Sequence, residues 1–369
     1  MESPEFERNL YVAHQLSRAA VAAIEQWDAL VAETPRTPET RWQRRRRAFV
    51  RAATTSASTR IEGNQLSLWD ADQLLVGMRV EGQERDQREV RNYAAALDLA
   101  EDFLARESFE WQESVLQQLN AAILRGLEHD TRGAYRTGPV TVGGGFYAAP
   151  SHAVVPAFVS SLVDWLGRTT LHPLVRTALL HLNLAAIHPW FDGNGRTTRI
   201  ACLLDISRIV SVPGWVNIEP ALATDQDGYF RRIRDAVGMS WDPQNHVASE
   251  WVEWYVGLHL SVLRQGIAID EAERRDAQVI TAALEERGQP ADWGPIILTA
   301  AYGPFGTSLI APMYDLSDSA TRAMVGRLVS AGWLIGEGRT RGRVYRPSER
   351  VTQLGLESPR LAQEAGGAR

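Results

Sequence analysis

Residues 174–187, LVRTALLHLNLAAI, carry apolar side chains on nearly every side of a helix. A helix with one apolar stripe covers a core, whereas one that is apolar all round has to lie inside a bundle. This segment therefore demands helices around it, and the chain offers them. Apolar residues at helical spacing over 8–31 (Leu10, Val12, Leu16, Ala20, Ile24, Leu30) predict a helix that stops at Thr34-Pro35. Arg44 to Arg47 open a second helix, and this basic run reads as a solvated face rather than a nucleic-acid patch. Residues 86–105 and 110–127 are amphipathic, and another apolar helix runs from near Arg196 to about Ile209. One stretch breaks the helical pattern. In 134–150, AYRTGPVTVGGGFYAAP, alternation around Gly143-Gly144-Gly145 predicts a β-hairpin with a flexible tip. The fold class is all-α.

The composition changes after residue 265. EAERRDAQ is charged and reads as a linker or a helix start. Residues 317–331 predict a helix, followed by short strands in WLIGEG and GRVYRP, the order of a winged helix-turn-helix. Residues 356–369 read as a disordered tail. The expected domains are thus an N-terminal helical region (1–105), a core (106–265) and a C-terminal module (266–355). A chain of 369 residues has core enough for two or three domains.

No lysine occurs in the sequence. That excludes a P-loop, which needs its lysine, and lysine Schiff-base chemistry. Any phosphate clamp must be arginine or backbone. A net charge of -6 argues against wholesale coating of nucleic acid. One cysteine, Cys202, allows no internal disulfide and fits a reducing compartment. With no apolar run of membrane length and no leader-like start, the sequence reads as cytoplasmic.

The polar residues concentrate in HPWFDGNGRTTR, 188–199, the loop between the two apolar helices. Gly193 and Gly195 suit a tight turn and a close ligand. The helix that starts at about Asn194-Gly195 points free N–H groups and a positive dipole end into the loop, which makes an anion site. Arg196 and Arg199 are three apart and share a face, and two guanidinium forks suit a di- or triphosphate. Asp192 beside phosphates implies Mg²⁺ between them. His188 can accept a proton from a nucleophile. The DGNG run is no calcium loop, because Arg196 falls where a ligand should be. His172, His181 and His188 are too widely spaced for a compact zinc site. His181 and Cys202 read as core residues. Trp251, Trp254 and Tyr255 read as a packing or oligomer surface.

The stretch resembles the Fic-domain signature HPFx(D/E)GNGRxxR, with Trp190 in place of the usual phenylalanine. The resemblance extends over roughly 54–260 and includes GAYRTGPVTVGG, which is similar to the Fic flap. It implies a Fic helical core that transfers AMP from ATP to a Ser, Thr or Tyr hydroxyl of a protein. His188 would deprotonate the hydroxyl. Asp192 would hold Mg²⁺. Asn194 and the backbone of Gly193 and Gly195 would bind the α-phosphate region, and Arg196 and Arg199 the β- and γ-phosphates. The flap, Thr141, Val142, Gly143, Gly144, Gly145 and Phe146, would pair with the target as an added strand. Such enzymes often modify themselves and often dimerise.

A second stretch, STRIEGN, places Ser58 and Glu62 on one helical face. Alone it is an ordinary helix end with Gly63 as its stop. Beside the signature it resembles the family's inhibitory motif (S/T)xxxE(G/N), which implies that Glu62 pairs with Arg199 and holds the enzyme off. The alternatives are removal of AMP at the same site and a nucleotide-responsive regulator. The regulator would bind DNA through Arg322 and Arg327 on the C-terminal helix and Arg339, Arg341, Arg343 and Arg346 near the wing. A protein–protein module is the bland reading of that unit.

Overall fold

The computed structural model of the chain describes residues 9–34, 40–128, 130–143, 145–209, 217–338 and 343–359. In chain order the elements are α1 (Arg18–Glu33), α2 (Arg41–Ile61), α3 (Leu68–Leu75), α4 (Glu84–Leu104), α5 (Glu113–Leu124), β1 (Thr141–Val142), β2 (Tyr147–Ala148), α6 (Val155–Arg168), α7 (Pro173–Ile187), α8 (Asn194–Ile209), α9 (Glu219–Thr224), α10 (Gln226–Val237), α11 (Ser249–Glu285), α12 (Gly294–Tyr302), α13 (Thr307–Tyr314), α14 (Asp318–Ser330), β3 (Leu334–Glu337), β4 (Val344–Pro347) and α15 (Glu349–Gln353). They form two compact units. One gathers residues 1–34, 55–65 and 83–263, the other 35–54, 66–82 and 264–369.

In the first unit α7 is the central helix that its composition predicts. Every residue from Leu174 to Ile187 except Ala185 is buried. It packs against α6, α8 and α10, and α4 and α5 close on α8. Three polar side chains inside this core share one carboxylate. Asp205 of α8, fully buried, accepts from Arg176 Nε and Nη2, from Thr177 Oγ1 and from Trp111 Nε1, at 2.7–3.1 Å. A buried guanidinium is tolerated only when paired and hydrogen-bonded in this way. Trp251 and Tyr255 are buried, and Trp251 Nε1 donates to Ala178 O at 2.7 Å, so helix packing accounts for them.

The first predicted helix begins later than its apolar pattern. Leu10 and Tyr11 are buried, but Tyr11 N–H donates to Asn183 Oδ1 at 2.9 Å and Asn183 Nδ2 donates back to Tyr11 O at 3.1 Å. That exchange commits the backbone to α7, and the helix starts only at the Ser17 cap, whose side chain accepts from Ala20 N–H.

In the second unit the arginine run departs from expectation. Arg45 and Arg46 are 3% and 4% exposed, not a solvated face. Arg45 pairs with Glu273 at 2.8 Å, and Arg46 pairs with Asp270 at 3.1 Å and donates to Gly266 O at 2.7 Å. Their partners explain the charged stretch EAERRDAQ, which is the middle of the continuous helix α11 rather than a linker. Asp276, also there, accepts from the Glu357 and Ser358 backbones and from Ser358 Oγ. Residues 356–359 of the expected tail are therefore placed, and 360–369 lie outside the described residues. Helices α12, α13 and α14 precede a hairpin in which Leu334 faces Pro347 and Glu337 faces Val344. Phe305 and Tyr345 exchange backbone hydrogen bonds at 2.9 and 3.0 Å, adding a bridge beside β4. Trp333, Ile296, Val325 and Leu328 fill the centre of this unit.

His181 and His259 are fully enclosed in the first unit, and burial pushes both down to about 3. His181 Nε2 meets Tyr229 OH at 2.8 Å, whereas neither ring nitrogen of His259 has a protein partner. The unfolded chain takes up protons at both near pH 6.5 and the fold does not, so stability is present above that pH and is lost as pH falls towards 3. Raised carboxyls at Glu219 and Asp72 act in the opposite direction. The expected outcome is a melting temperature that falls below pH 6.5 less steeply in His259→Leu than in wild type, read by calorimetry from about pH 7 to 5. Parallel slopes would mean that His259 is protonated in the fold.

Candidate active site

The site is built where α7 stops. His188 caps that helix in the left-handed region, φ 49°, a costly conformation for a residue with a side chain. Arg136, buried below the hairpin, holds it there. Its Nε donates to His188 O at 2.8 Å, Nη1 to Gly138 O at 3.0 Å and Nη2 to Pro150 O, while its backbone N–H donates to Pro189 O at 2.9 Å. The hairpin stem and the loop are thus pinned by one guanidinium. The His188 ring is partly buried, and its Nδ1 lies 3.3 Å from Ala185 O. A carbonyl can only accept, so Nδ1 carries the proton and Nε2 keeps its lone pair. Desolvation pushes His188 down to about 4, and it is neutral near pH 7.

After His188 the loop is fastened from below. Trp190 is fully buried, and its Nε1 donates to Gly133 O at 3.0 Å. Asn194 bonds back to Trp190 with both amide atoms, accepting from its N–H at 3.0 Å and donating to its O at 2.9 Å. The Asn194 side chain is therefore a strut of the loop. Asn120 Nδ2 donates to Asp192 O and to Thr197 Oγ1. Gly193 has φ +77° and lies against Asn120, so a side chain there would be both strained and crowded.

The charged groups lie above this frame. Asp192 Oδ1 accepts from Gly193 N–H and from Arg196 Nη2 at 3.0 Å, and its side chain is 29% exposed. Arg196 is 2% exposed, and its Nε and Nη1 have no hydrogen-bond partner. Arg199 is also 2% exposed. Its Nε donates to Ser58 Oγ at 2.7 Å, and its Nη2 donates to Ser58 O at 3.0 Å and to Glu62 Oε1 at 2.8 Å. Its Nη1 is unpartnered and faces Gly195. Unsatisfied buried donors are uncommon in folded proteins. Arg196 Nη1 lies 3.5 Å from Glu89 Oε1, which leaves Arg196 Nε and Arg199 Nη1 as buried donors without a partner near the start of α8, the kind of donor a polyphosphate can use.

Glu62 reaches Arg199 because of how α2 ends. Gly63, φ +95°, donates to Arg60 O, and Asn64 N–H donates to Thr59 O, so the turn is a Schellman motif. The run from Thr55 to Thr59 is buried and helical, with Thr59 Oγ1 donating to Thr55 O. Gly195 completes the fit: a Cβ there would lie 2.2 Å from Glu62 Oε1.

The hairpin is shorter than its sequence suggests. Two residues pair on each side, Thr141 with Ala148 and Val142 with Tyr147. Tyr147 OH is fixed to Ala186 O, and Ala148 N–H donates to Met239 O. Gly143 and Gly145 both have positive φ, Phe146 is exposed, and Gly144 lies outside the described residues. Among the described residues β1 has no strand on its outer side. The hairpin joins the loop through its stem, not its tip.

The structure brings together Ser58, Glu62 and Arg199, and separately Asp192 and Arg196. Sequence reasoning missed Arg136, Asn120, Gly133, Asn64 and Glu89, which position these groups. Arg136, Asn120, Gly133 and Glu89 are distant in the chain from the groups they hold, and Asn64, although it follows Glu62 closely, carries no spacing signal. Among the described residues no group of three His, Cys, Asp or Glu side chains could hold a metal. A cation here would be held by Asp192 and by phosphate oxygens, a donor set that suits Mg²⁺.

Residues 110–204 match the Fic/DOC family. Over 154 residues the chain is 32% identical to the protein adenylyltransferase fic-1 of Caenorhabditis briggsae, which covers 40% of this chain and 30% of that protein. Over 150 residues it is 30% identical to the protein adenylyltransferase Fic of Drosophila willistoni, covering 39% and 29%. The chain thus spans about 30% of the length of these curated relatives. Its fold is similar to a Fic family protein from Desulfovibrio desulfuricans G20, with a TM-score of 0.61 at 24% identity over 91% of this chain and 98% of that one. Fic-1 of Caenorhabditis elegans gives 0.57 at 22% identity, over 69% and 73%. No helix among the described residues is long and apolar enough to cross a membrane.

Gly133 offers a check on this frame. It has φ +81°, and a Cβ would lie 2.1 Å from Gln117 O. Gly133→Ala is expected to cost about 3 kcal/mol or more, through backbone strain and overpacking together. The urea midpoint measures it, and an unchanged midpoint would refute the close approach.

Proposed function

We propose that the chain is an autoinhibited protein adenylyltransferase that moves AMP from ATP to a Ser, Thr or Tyr hydroxyl of a target protein. The observation that carries the reading is the 2.8 Å pair between Glu62 and Arg199, set beside the unpartnered donors of Arg196 and Arg199. Neutral His188, with Nε2 free, takes the proton of the target hydroxyl as its oxygen bonds to the α-phosphorus. The bond from the α-phosphorus to the bridging oxygen breaks, and pyrophosphate leaves against the arginines. Positioning and charge neutralisation do most of this work. Asp192 would hold Mg²⁺, which when bound would neutralise phosphate charge. The free outer side of β1 is where a target segment would add as a strand.

In the inhibited form Arg199 is committed to Ser58 and Glu62. Losing one charge-assisted hydrogen bond costs about 1.5–3 kcal/mol, so ATP affinity falls roughly ten- to a hundredfold. Intact mass after incubation with Mg-ATP tests the reading without a known target, through self-modification. Glu62→Gly is expected to gain the mass of AMP. Glu62→Gly/His188→Ala is expected to be slower by roughly 10²–10⁴-fold. Loss of AMP from a pre-modified protein, with no gain in any variant, would favour AMP removal at the same site. Equal gain with and without His188 would overturn its role as the base.

The second unit supports a separate reading. Three helices and a hairpin have the order of a winged helix, and α14 exposes Arg322 and Arg327 beside Ser319, Ala323 and Gly326. Small residues around two cations suit the approach of a duplex backbone. Arg346 is paired with Glu337 at 2.7 Å, Arg343 lies over the Tyr345 ring, and Arg339 and Arg341 lie outside the described residues. A salt-sensitive mobility shift on duplex DNA that Arg322→Ala/Arg327→Ala abolishes is the expected result. No shift at low salt would leave this unit a protein–protein module.

A further inference from the structure

The turn that carries Glu62 is also tied to the other arginine. Directly after it, Asn64 Nδ2 donates to Glu89 Oε2 at 3.0 Å and to Asp86 O at 3.0 Å. Gln65 N–H donates to Asp86 Oδ2 at 3.3 Å. Glu89 is buried in α4, and its second oxygen, Oε1, lies 3.5 Å from Arg196 Nη1 and 3.3 Å from Arg85 Nε. Arg85 is largely exposed, so solvent screens it, whereas the Glu89 and Arg196 side chains are 5% and 3% exposed. A buried carboxylate next to a buried guanidinium is a strong local constraint, because neither charge can be left without compensation. Glu89 therefore stands between the turn and Arg196, one oxygen on each.

We propose that Glu89 is a positioning residue that couples the Glu62 turn to Arg196, so that one turn at the end of α2 holds both phosphate-facing arginines. Arg199 is held directly, by Glu62 and Ser58. Arg196 is held through Asn64 and Glu89. A polyphosphate that draws Arg196 away removes the buried counter-charge that fixes Glu89 in place, and an uncompensated Glu89 turns outward with exposed Arg85 and leaves Asn64. Loosening the turn in turn withdraws Glu62 from Arg199. Nucleotide binding and release of the inhibitory carboxylate become one coupled event, with the two arginines as its ends. The regulatory meaning rests on the adenylyltransferase reading, but the coupling itself is a property of the free chain.

Hydrogen exchange of the backbone amides of residues 62–65 in the full chain, without nucleotide, tests the coupling and needs no activity. Arg196→Ala is expected to raise exchange there roughly tenfold, by removing the charge that fixes Glu89. Glu89→Gln is expected to do the same, and Glu89→Gln/Arg196→Ala no more than either alone. Asn64→Ala breaks the link from the other side and serves if Glu89→Gln fails to fold. Unchanged exchange in Arg196→Ala overturns the proposal. So does a double variant whose gain is the product of the single gains, since that is the mark of independent contacts. Transfer rates add a functional reading. Asn64→Ala is expected to speed self-modification in the wild-type background. If Glu62→Gly itself transfers nothing, the adenylyltransferase reading has failed, and the exchange result still decides the coupling.

Discussion

Arg199 is a full positive charge with almost no access to water. Burial works against that charge, and Glu62, Tyr229 and Tyr93 around it more than restore it. The compensation reaches well beyond one ion pair. Tyr93 OH donates to buried Glu219 at 2.6 Å, and Tyr229 OH meets His181. Ser58 gives Arg199 both its hydroxyl and a carbonyl that the end of α2 leaves without a helical partner. A cation at a helix C-terminus is favourable by the dipole as well as by the hydrogen bond. Groups in or beside α2, α4, α9 and α10 all contribute to compensating this one residue of α8.

The same residue has to be two things. As part of the fold it needs partners, and as part of the proposed phosphate site it would need free donors. The structure divides the guanidinium between these demands: Nε and Nη2 are occupied, and Nη1 is open. Arg196 is divided in the same way, with Nη2 on Asp192, Nη1 in an ion pair with Glu89 and Nε without a hydrogen bond. The frame beneath them is rigid by contrast. Arg136, Asn120, Asn194 and the Trp190 indole each satisfy loop carbonyls or amides, so the left-handed conformation at His188 is held from several directions. Strained backbone at a reacting group persists only under that kind of over-determination.

Much of this was readable in the chain, but unevenly. The apolar helix α7 announced the bundle because burial on all sides leaves a compositional trace. The cluster of charged and polar groups in loop 188–199 was legible because its residues are consecutive. Ser58 and Glu62 were legible because four residues make one helical turn. What stayed hidden depends on long-range pairing. Arg45 and Arg46 look like any solvated basic run until Glu273 and Asp270 are brought to them. Tyr11 looks helical until Asn183 takes its backbone. Arg136 sat in plain view before the hairpin, yet nothing local says that its guanidinium holds carbonyls 50 residues on, from Ile187 and His188. Asn194 gave no local sign that its amide would brace the loop through Trp190.

Gly195 has a consequence for how such a restraint can arise and vanish. The Glu62 carboxylate occupies the space that any side chain at 195 would fill. Building the restraint requires a carboxylate at the last turn of α2, a hydroxyl one turn earlier, a glycine stop after it and an empty place at 195. Losing it takes a single substitution at Glu62. Descendants of a restrained ancestor can therefore become unrestrained in one step, whereas the reverse route needs several changes that bring no restraint until they coincide.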